Sequence, residues 1–352
     1  MQLFTRKIGI VIIGRNEGER FKRCLLSVRD KTERIVYVDS GSTDGSITFA
    51  KSRRVDVVEL DMTLPFTMAR GRNSGFRRLL DMKPDTEFVQ FIDGDCELVD
   101  GYLESAVLAM MNHPDITIVT GRRLERHPDA SIYNRLCAIE WGKDLGEIQS
   151  CGGDMMVRPE PFIAAGMFNT SMIAGEEPEL CVRIRKAGGK IVRIDHDMTI
   201  HDAAMLKFSQ WWRRAIRAGH ASAEGCAIHG RSPERHNVRA VLSALFWGVS
   251  VPIVAVGFLI AAVWWPWAVM GSPITLFGYV ALAAKISRSM RRKGFIAFDA
   301  RLYAAACVLA KFPKSLGIFQ FWLNRLRGRP STLIEYKQAS AGDVGELARS
   351  DH

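Results

Sequence analysis

Four short apolar runs, separated by helical patterns and turn-rich segments, restrict the first part of this chain to a parallel α/β sheet. Ile8-Gly9-Ile10-Val11-Ile12-Ile13 is the first run, followed by Gly14-Arg15-Asn16-Glu17 and a helical pattern from Glu19 to Val28. Ile35-Val36-Tyr37-Val38 is the second. It ends at Asp39 and the turn-rich Ser40-Gly41-Ser42-Thr43-Asp44-Gly45, ahead of a helix to about Ser52. Val55 to Leu60 supplies a third strand, Ala69 to Leu80 a helix, and Phe88-Val89-Gln90-Phe91-Ile92 a fourth strand that closes on Asp93-Gly94-Asp95. In open sheets of this kind ligands bind beyond the carboxyl ends of the strands, where Asn16, Asp39 and Asp93 fall. Two carboxylates at a strand end are hard oxygen ligands that suit Mg²⁺ or Mn²⁺, while an acidic turn is the plainer reading of the pair taken alone. A nicotinamide-binding Rossmann domain shares the alternation but requires GxGxxG at the first turn, and Gly9, Gly14 and Gly18 do not have that spacing.

The 352 residues leave room for one large α/β domain plus something more, and the 47% hydrophobic content is concentrated toward the C-terminus. From Val238 to Val263 the polar side chains other than Arg239 are Ser243 and Ser250, a run longer than the ~20 apolar residues that cross a bilayer. Trp264-Trp265-Pro266-Trp267 suits a headgroup belt and a turn, and a second span is expected from about Trp267 to Ala284. Arg231, Arg235 and Arg239 precede the pair and Arg288, Arg291, Arg292 and Lys293 follow it, so both flanks are expected on the cytoplasmic side. Phe295 to Leu323 is apolar but interrupted by Asp299, Arg301, Lys311, Pro313 and Lys314, which favours interfacial or re-entrant helices. The expected division is a catalytic domain over 1–230, a membrane region over 231–330 and a polar tail over 331–352.

A net charge of +10 raises the question of nucleic acid, but no helix-turn-helix cue, zinc spacing or RNP-like aromatic strand accompanies it. Anionic membrane lipid is the more economical partner, and nucleic acid is not expected. The seven cysteines are scattered without a CxxC pair and no signal-peptide core precedes the first strand, as expected for reduced thiols in the cytosol.

Six elements in order carry a resemblance: Ile10-Val11-Ile12-Ile13-Gly14-Arg15-Asn16-Glu17; Val38-Asp39-Ser40-Gly41-Ser42-Thr43-Asp44-Gly45-Ser46; Ala69-Arg70-Gly71-Arg72-Asn73; Asp93-Gly94-Asp95; Gly152-Gly153 with Met156-Val157-Arg158; and Glu176-Glu177-Pro178-Glu179-Leu180 with Arg183. Over about residues 8–220 the chain resembles the inverting family 2 glycosyltransferases of GT-A fold, in particular membrane-anchored bacterial members. The resemblance implies that Asp39 reads the base or ribose of a nucleotide sugar, with Glu17 at the rim of that pocket and Arg72 near the phosphates. It implies that Asp95, with Asp93, holds Mg²⁺ or Mn²⁺ on the diphosphate, and that His201 completes the metal site as in some relatives. Glu177 aligns with the general base, with Glu176 as its nearest rival. Gln210-Trp211-Trp212-Arg213-Arg214 is similar to the Gln-x-x-Arg-Trp element of processive synthases, which implies acceptor or diphosphate contacts for Gln210, Arg213 and Arg214, although Arg214 stands where that element has Trp.

Two spans are few for enclosing a polymer channel, so transfer of a single sugar to a membrane-held acceptor is expected. The expected donor is a nucleotide-diphosphate sugar, UDP-linked by resemblance, and the expected acceptor is a lipid-linked saccharide or glycolipid of envelope or exopolysaccharide assembly at the bacterial inner membrane. Transfer to polyprenyl phosphate and a non-catalytic membrane scaffold are the alternatives. Arg122, Arg123, Arg126 and His127, within Val107 to Trp141, are expected in an acceptor-side loop near an anionic lipid head, or in a plain solvated basic loop.

Overall fold

The computed structural model describes residues 7–141, 144–329 and Ile334, so the tail expected over 331–352 lies, Ile334 apart, outside the described residues. Strands β1 (Ile8–Gly14), β2 (Ile35–Asp39), β3 (Asp56–Glu59) and β4 (Phe88–Asp93) are joined by helices α1 (Gly18–Arg29), α2 (Ser46–Ser52) and α3 (Met68–Met82). β1 pairs in parallel with β2 on one side and β4 on the other, and β2 pairs in parallel with β3. Connections that leave β1 in opposite directions open a crevice at its carboxyl end, the topological switch point of such sheets.

The chain continues through β5 (Cys96–Leu98), α4 (Tyr102–Asn112), β6 (Ile116–Glu125), α5 (Ile132–Trp141), β7 (Gly146–Glu147), β8 (Met155–Val157), α6 (Pro159–Ala164), α7 (Glu176–Lys186), β9 (Lys190–His201) and α8 (Phe208–His229). The sheet is mixed, in the order β3-β2-β1-β4-β8-β6-β9-β5 with β7 against β9. Side chains alternate across it. Ile8, Ile10 and Ile12 meet Phe21, Leu25 and Val28 of α1 and Tyr102 and Met110 of α4 on one face. Val11 and Ile13 meet Ala69, Phe76 and Leu79 of α3 and Leu180 and Ile184 of α7 on the other.

One expectation is corrected here. Arg122 and Arg123 lie not in a lipid-facing loop but on β6, inside the sheet between β8 and β9. Arg122 pairs with Asp195 and Asp197, Arg123 with Asp154, and Arg126 with Glu97. Ile116, Thr117, Ile118, Val119 and Thr120 are buried ahead of those arginines, so the segment has a strand's apolar start that the following charges disguise.

Beyond α8, α9 (Val238–Leu245) passes through a π turn at Phe246–Ser250 into α10 (Val251–Ala261), and a 3₁₀ turn at Pro266–Met270 leads into α11 (Gly271–Arg292). α12 (Ala297–Leu309) and α13 (Lys311–Leu326) follow. Three stretches, Val238–Ala261, Pro266–Arg292 and Ala297–Leu326, are long and apolar enough to cross a membrane by length and composition. The third is one more than the expected hairpin, and it is also the one most tied to the α/β domain. A Cβ on Gly317 would stand 2.0 Å from the Ile216 carbonyl oxygen, and one on Gly219 2.1 Å from that of Lys314. Only glycine lets α13 and α8 approach that closely. Phe321 meets His220 edge-on at 5.3 Å, and Asp299 of α12 pairs with Arg135 of α5 at 2.5 Å.

Candidate active site

The loops after β1 and β2 are stitched to each other at the crevice. Asn16 Oδ1 accepts from the Thr43 amide at 2.7 Å, the Asn16 amide donates to Ser42 Oγ at 2.9 Å, and the Gly18 amide donates to Asp44 Oδ2 at 2.7 Å. Asp39, 1% exposed, ends β2 beneath them. Its Oδ1 accepts from the Tyr37 hydroxyl at 2.8 Å and its Oδ2 from the Gly41 and Ser42 amides, both at 2.8 Å. Burial beside this carboxylate pushes the Tyr37 hydroxyl far up its titration range, so it stays a donor. Glu17 stands at the N-terminus of α1, pairs with Arg20 at 2.9 Å, and lies beside the Asp93-Gly94-Asp95 turn, its Cγ being 3.5 Å from where a Gly94 Cβ would be.

A chain of buried charges underlies that turn. Arg72 of α3 donates to Asp93 Oδ1 at 2.6 Å and to Glu176 Oε1 at 2.7 Å. The Asp93 amide donates to Asp154 Oδ1 at 2.9 Å, and Asp154 Oδ2 accepts from Thr199 at 2.9 Å and pairs with Arg123 at 2.8 Å. Burial would raise the Asp93 carboxyl, but the Arg72 and Arg123 guanidiniums outweigh it and hold the group down at about 2. Gly153 lets this network close. A Cβ there would stand 2.2 Å from Arg72 Nη2 and 3.1 Å from Asp93 Oδ2. Arg72, expected near phosphates, is thus a buried bridge between two carboxylates.

Asp95 directly precedes β5, and His201 ends β9. Antiparallel pairing of β5 with β9 brings them together, with His201 Nε2 3.3 Å from Asp95 Oδ2. Asp95, Cys96 and His201 present ligand atoms within 4.8 Å of one another. The His201 ring is held edge-on by Trp141 at 4.5 Å, and Glu125 Oε2 lies 3.7 Å from its Nδ1. A carboxylate behind the far nitrogen of an imidazole is the usual way to orient a metal ligand. A carboxylate and an imidazole, with Asp93 alongside, form a donor set that fits a divalent ion such as Mn²⁺.

Glu176 and Glu177 open α7 after Gly175. Their carboxylates diverge: Glu176 goes to Arg72, whereas Glu177 Oε1 accepts from the Cys151 amide at 2.7 Å and lies 3.0 Å from Cys181 Sγ and 3.2 Å from Cys151 Sγ. Burial pushes the Cys151 thiol up to about 11.

Of the residues expected on the acceptor, Gln210 and Arg214 are engaged elsewhere. Gln210 Oε1 accepts from the Leu206 and Lys207 amides at 2.8 and 2.9 Å, capping α8, and Arg214 pairs with Glu140 of α5 at 2.8 Å. Arg213 is exposed on α8. Sequence reasoning missed Tyr37, Asp154 and Glu125, and it missed the partnership of Cys151 and Cys181. Asp154 directly follows the singled-out Gly152-Gly153, a signal that was at hand; the others carry none.

Residues 9–158 match the model of glycosyl transferase family 2. The pre-mycofactocin glycosyltransferase of Mycobacterium tuberculosis is 25% identical over 230 residues, 62% of this chain and 47% of that relative, so the chain spans about half the length of the curated relative it matches. An uncharacterized glycosyltransferase of Rickettsia bellii is 39% identical over 57 residues, 16% of this chain and 19% of the relative. Among solved structures, the mannosyltransferase PcManGT of Pyrobaculum calidifontis, in complex with GDP-Man and Mn²⁺, superposes with a TM-score of 0.53 at 19% identity, covering 88% of this chain and 87% of its own. TarS 1–349 of S. aureus superposes with a TM-score of 0.50 at 13% identity, covering 92% of each chain. These likenesses establish the GT-A fold.

Proposed function

From the premise that residues 9–158 are a family 2 glycosyltransferase domain, we propose that this chain moves one sugar from a nucleotide-diphosphate donor, UDP-linked by preference, to a lipid-linked saccharide or glycolipid at the cytoplasmic face of a bacterial inner membrane. The observation that carries the reading is the convergence of Asp39, Asp93, Asp95 and His201 at the carboxyl end of the sheet, within a domain whose α8 packs directly on an apolar helix pair.

Asp39, fixed by three donors, accepts hydrogen bonds from the base or ribose of the donor nucleotide. Asp95 and His201 would hold Mg²⁺ or Mn²⁺, with Asp93, whose Oδ1 is committed to Arg72, alongside. Bound there, the ion would neutralise charge on the departing nucleotide diphosphate. Arg72 serves this site by holding Asp93 ionised and in place rather than by touching phosphate.

Glu177 is the general base. Glu176 is committed to a buried ion pair with Arg72, which leaves Glu177 as the member of the pair able to take a proton. The acceptor hydroxyl loses its proton to the Glu177 carboxylate as its oxygen bonds to the anomeric carbon. The bond from that carbon to the diphosphate oxygen breaks on the opposite side, inverting configuration. Mass analysis of membrane lipids after incubation with a panel of UDP- and GDP-sugars tests the acceptor: the expected result is a lipid product heavier by one sugar. A sugar-phosphate polyprenol with no other product would replace this acceptor class.

A further inference from the structure

We propose that Cys151, Cys181 and Glu177 form a second cation site, distinct from the Asp95 and His201 pair, for a thiophilic divalent ion such as Zn²⁺, and that filling it withdraws Glu177 from proton transfer. Glu177 and Cys181 lie four residues apart on one face of α7, and Cys151 reaches them from the loop ahead of β8. The two Sγ atoms are 4.0 Å apart and stand 3.2 and 3.0 Å from Glu177 Oε1. On a tetrahedral Zn²⁺ with bonds of about 2.3 Å to sulfur and about 2.0 Å to oxygen, two thiolates and a carboxylate oxygen stand roughly 3.5 to 3.8 Å from one another. The three atoms therefore need only small shifts to surround an ion.

The chemistry also separates this site from the first. Two sulfurs and one carboxylate prefer Zn²⁺ over Mg²⁺ or Mn²⁺, whereas a carboxylate with an imidazole accepts the harder ions. Binding exchanges two thiol protons, released to solvent, for two metal–sulfur bonds. Two thiolates, one carboxylate and a dication leave one net negative charge, and the buried Arg193 guanidinium, which feels the charge of both Cys151 and Glu177, offsets it. Cys151 is only partly buried, which gives the ion an entry. The site itself needs no assumption about catalysis, while the silencing rests on Glu177 being the base.

The test uses the full chain in lipid nanodiscs with Co²⁺ as the probe and Zn²⁺ as competitor. Wild type and Asp95→Ala are expected to show thiolate-to-cobalt charge-transfer absorption at one equivalent, displaced by Zn²⁺ and lost in Cys151→Ser and Cys181→Ser. In wild type, Zn²⁺ is expected to protect the partly exposed Cys151, and not Cys226, from maleimide labelling. Absence of thiolate absorption in wild type, its persistence in the double cysteine variant, or unprotected labelling would overturn the site. Zn²⁺ should also stop wild-type turnover, and whatever turnover Cys181→Ser retains should be insensitive to it. Bound Zn²⁺ with unchanged wild-type turnover would overturn the silencing. Normal turnover by Glu177→Gln would remove the assigned base while leaving the cobalt result standing.

Discussion

Arg72 and Glu176, 104 residues apart in the chain, meet at 2.7 Å with the Arg72 side chain 2% and the Glu176 side chain 6% exposed. The same guanidinium holds Asp93 at 2.6 Å, so a single buried arginine ties α3 to the end of β4 and to the start of α7. Removing one partner of a buried pair strands the other's charge away from water, which costs far more than the pair itself contributes.

Arg72→Met is therefore expected to destabilise the protein by about 3–5 kcal/mol, because it leaves the Asp93 and Glu176 carboxylates without the guanidinium they share. Thermal unfolding in detergent, followed by tryptophan fluorescence, reads this directly. Arg72→Lys should recover only part of the loss, since one ammonium cannot reproduce the fork that reaches Asp93 and Glu176 at once. A wild-type melting temperature for Arg72→Met would mean that the network is incidental.

Gly153→Ala should behave like a mild Arg72 variant. The added methyl would meet Arg72 Nη2 at 2.2 Å, and the backbone must shift or the guanidinium must leave Asp93. The expected outcome is a lowered melting temperature together with weakened binding of the donor, measured by calorimetry with a nucleotide diphosphate and Mn²⁺. Unchanged stability and unchanged binding together would show that the loop has room that the closed network denies.

The parallel part of the sheet, β1 to β4, is legible in the sequence. Ile8 to Ile13, Ile35 to Val38 and Phe88 to Ile92 are apolar, short and bounded by turn residues, and each became a strand within a residue or two. Asp39, Asp93 and Asp95 stood out because each ends or follows such a run. Arg72 and Gln210 were singled out too, but the partners that define them were not. Ion pairs between Arg72 and Glu176, or Arg123 and Asp154, depend on which strands become neighbours, and no local pattern encodes the β8-β6-β9 order. Cys151 and Cys181 were passed over for the same reason, being 30 residues apart with no metal-binding spacing. The basic stretch of β6 was misread because its arginines face carboxylates inside the sheet, a placement that charge alone does not reveal.

Stability should depend on pH through α8. Burial pushes Glu224 up from 4.5 to about 7, so the folded protein keeps a proton that the unfolded chain releases. A raised acid contributes stability that is complete below 4.5 and declines as pH rises through about 7. Glu224→Gln removes that slope. Its melting temperature relative to wild type should rise between pH 4.5 and 7 and level off above, and a difference that does not change with pH would contradict the assignment.

Gly317→Leu should separate α13 from α8. The new side chain would begin 2.0 Å from the Ile216 carbonyl oxygen, and a crossing held by close backbone approach has no rotamer that avoids it. Protease cleavage between the two helices should accelerate in the variant, while a serine at the same position should have a smaller effect. Equal cleavage of wild type and Gly317→Leu would argue that the two helices do not depend on this contact.

Donor turnover by the protein in lipid is the most direct test of the catalytic reading. Nucleotide diphosphate release should require Mg²⁺ or Mn²⁺, rise on addition of native lipid extract, fall by about 10²–10⁴-fold in Glu177→Gln, and vanish in Asp95→Ala. Release that proceeds equally in the two variants, or that appears with no donor in the panel, would contradict the proposed glycosyl transfer.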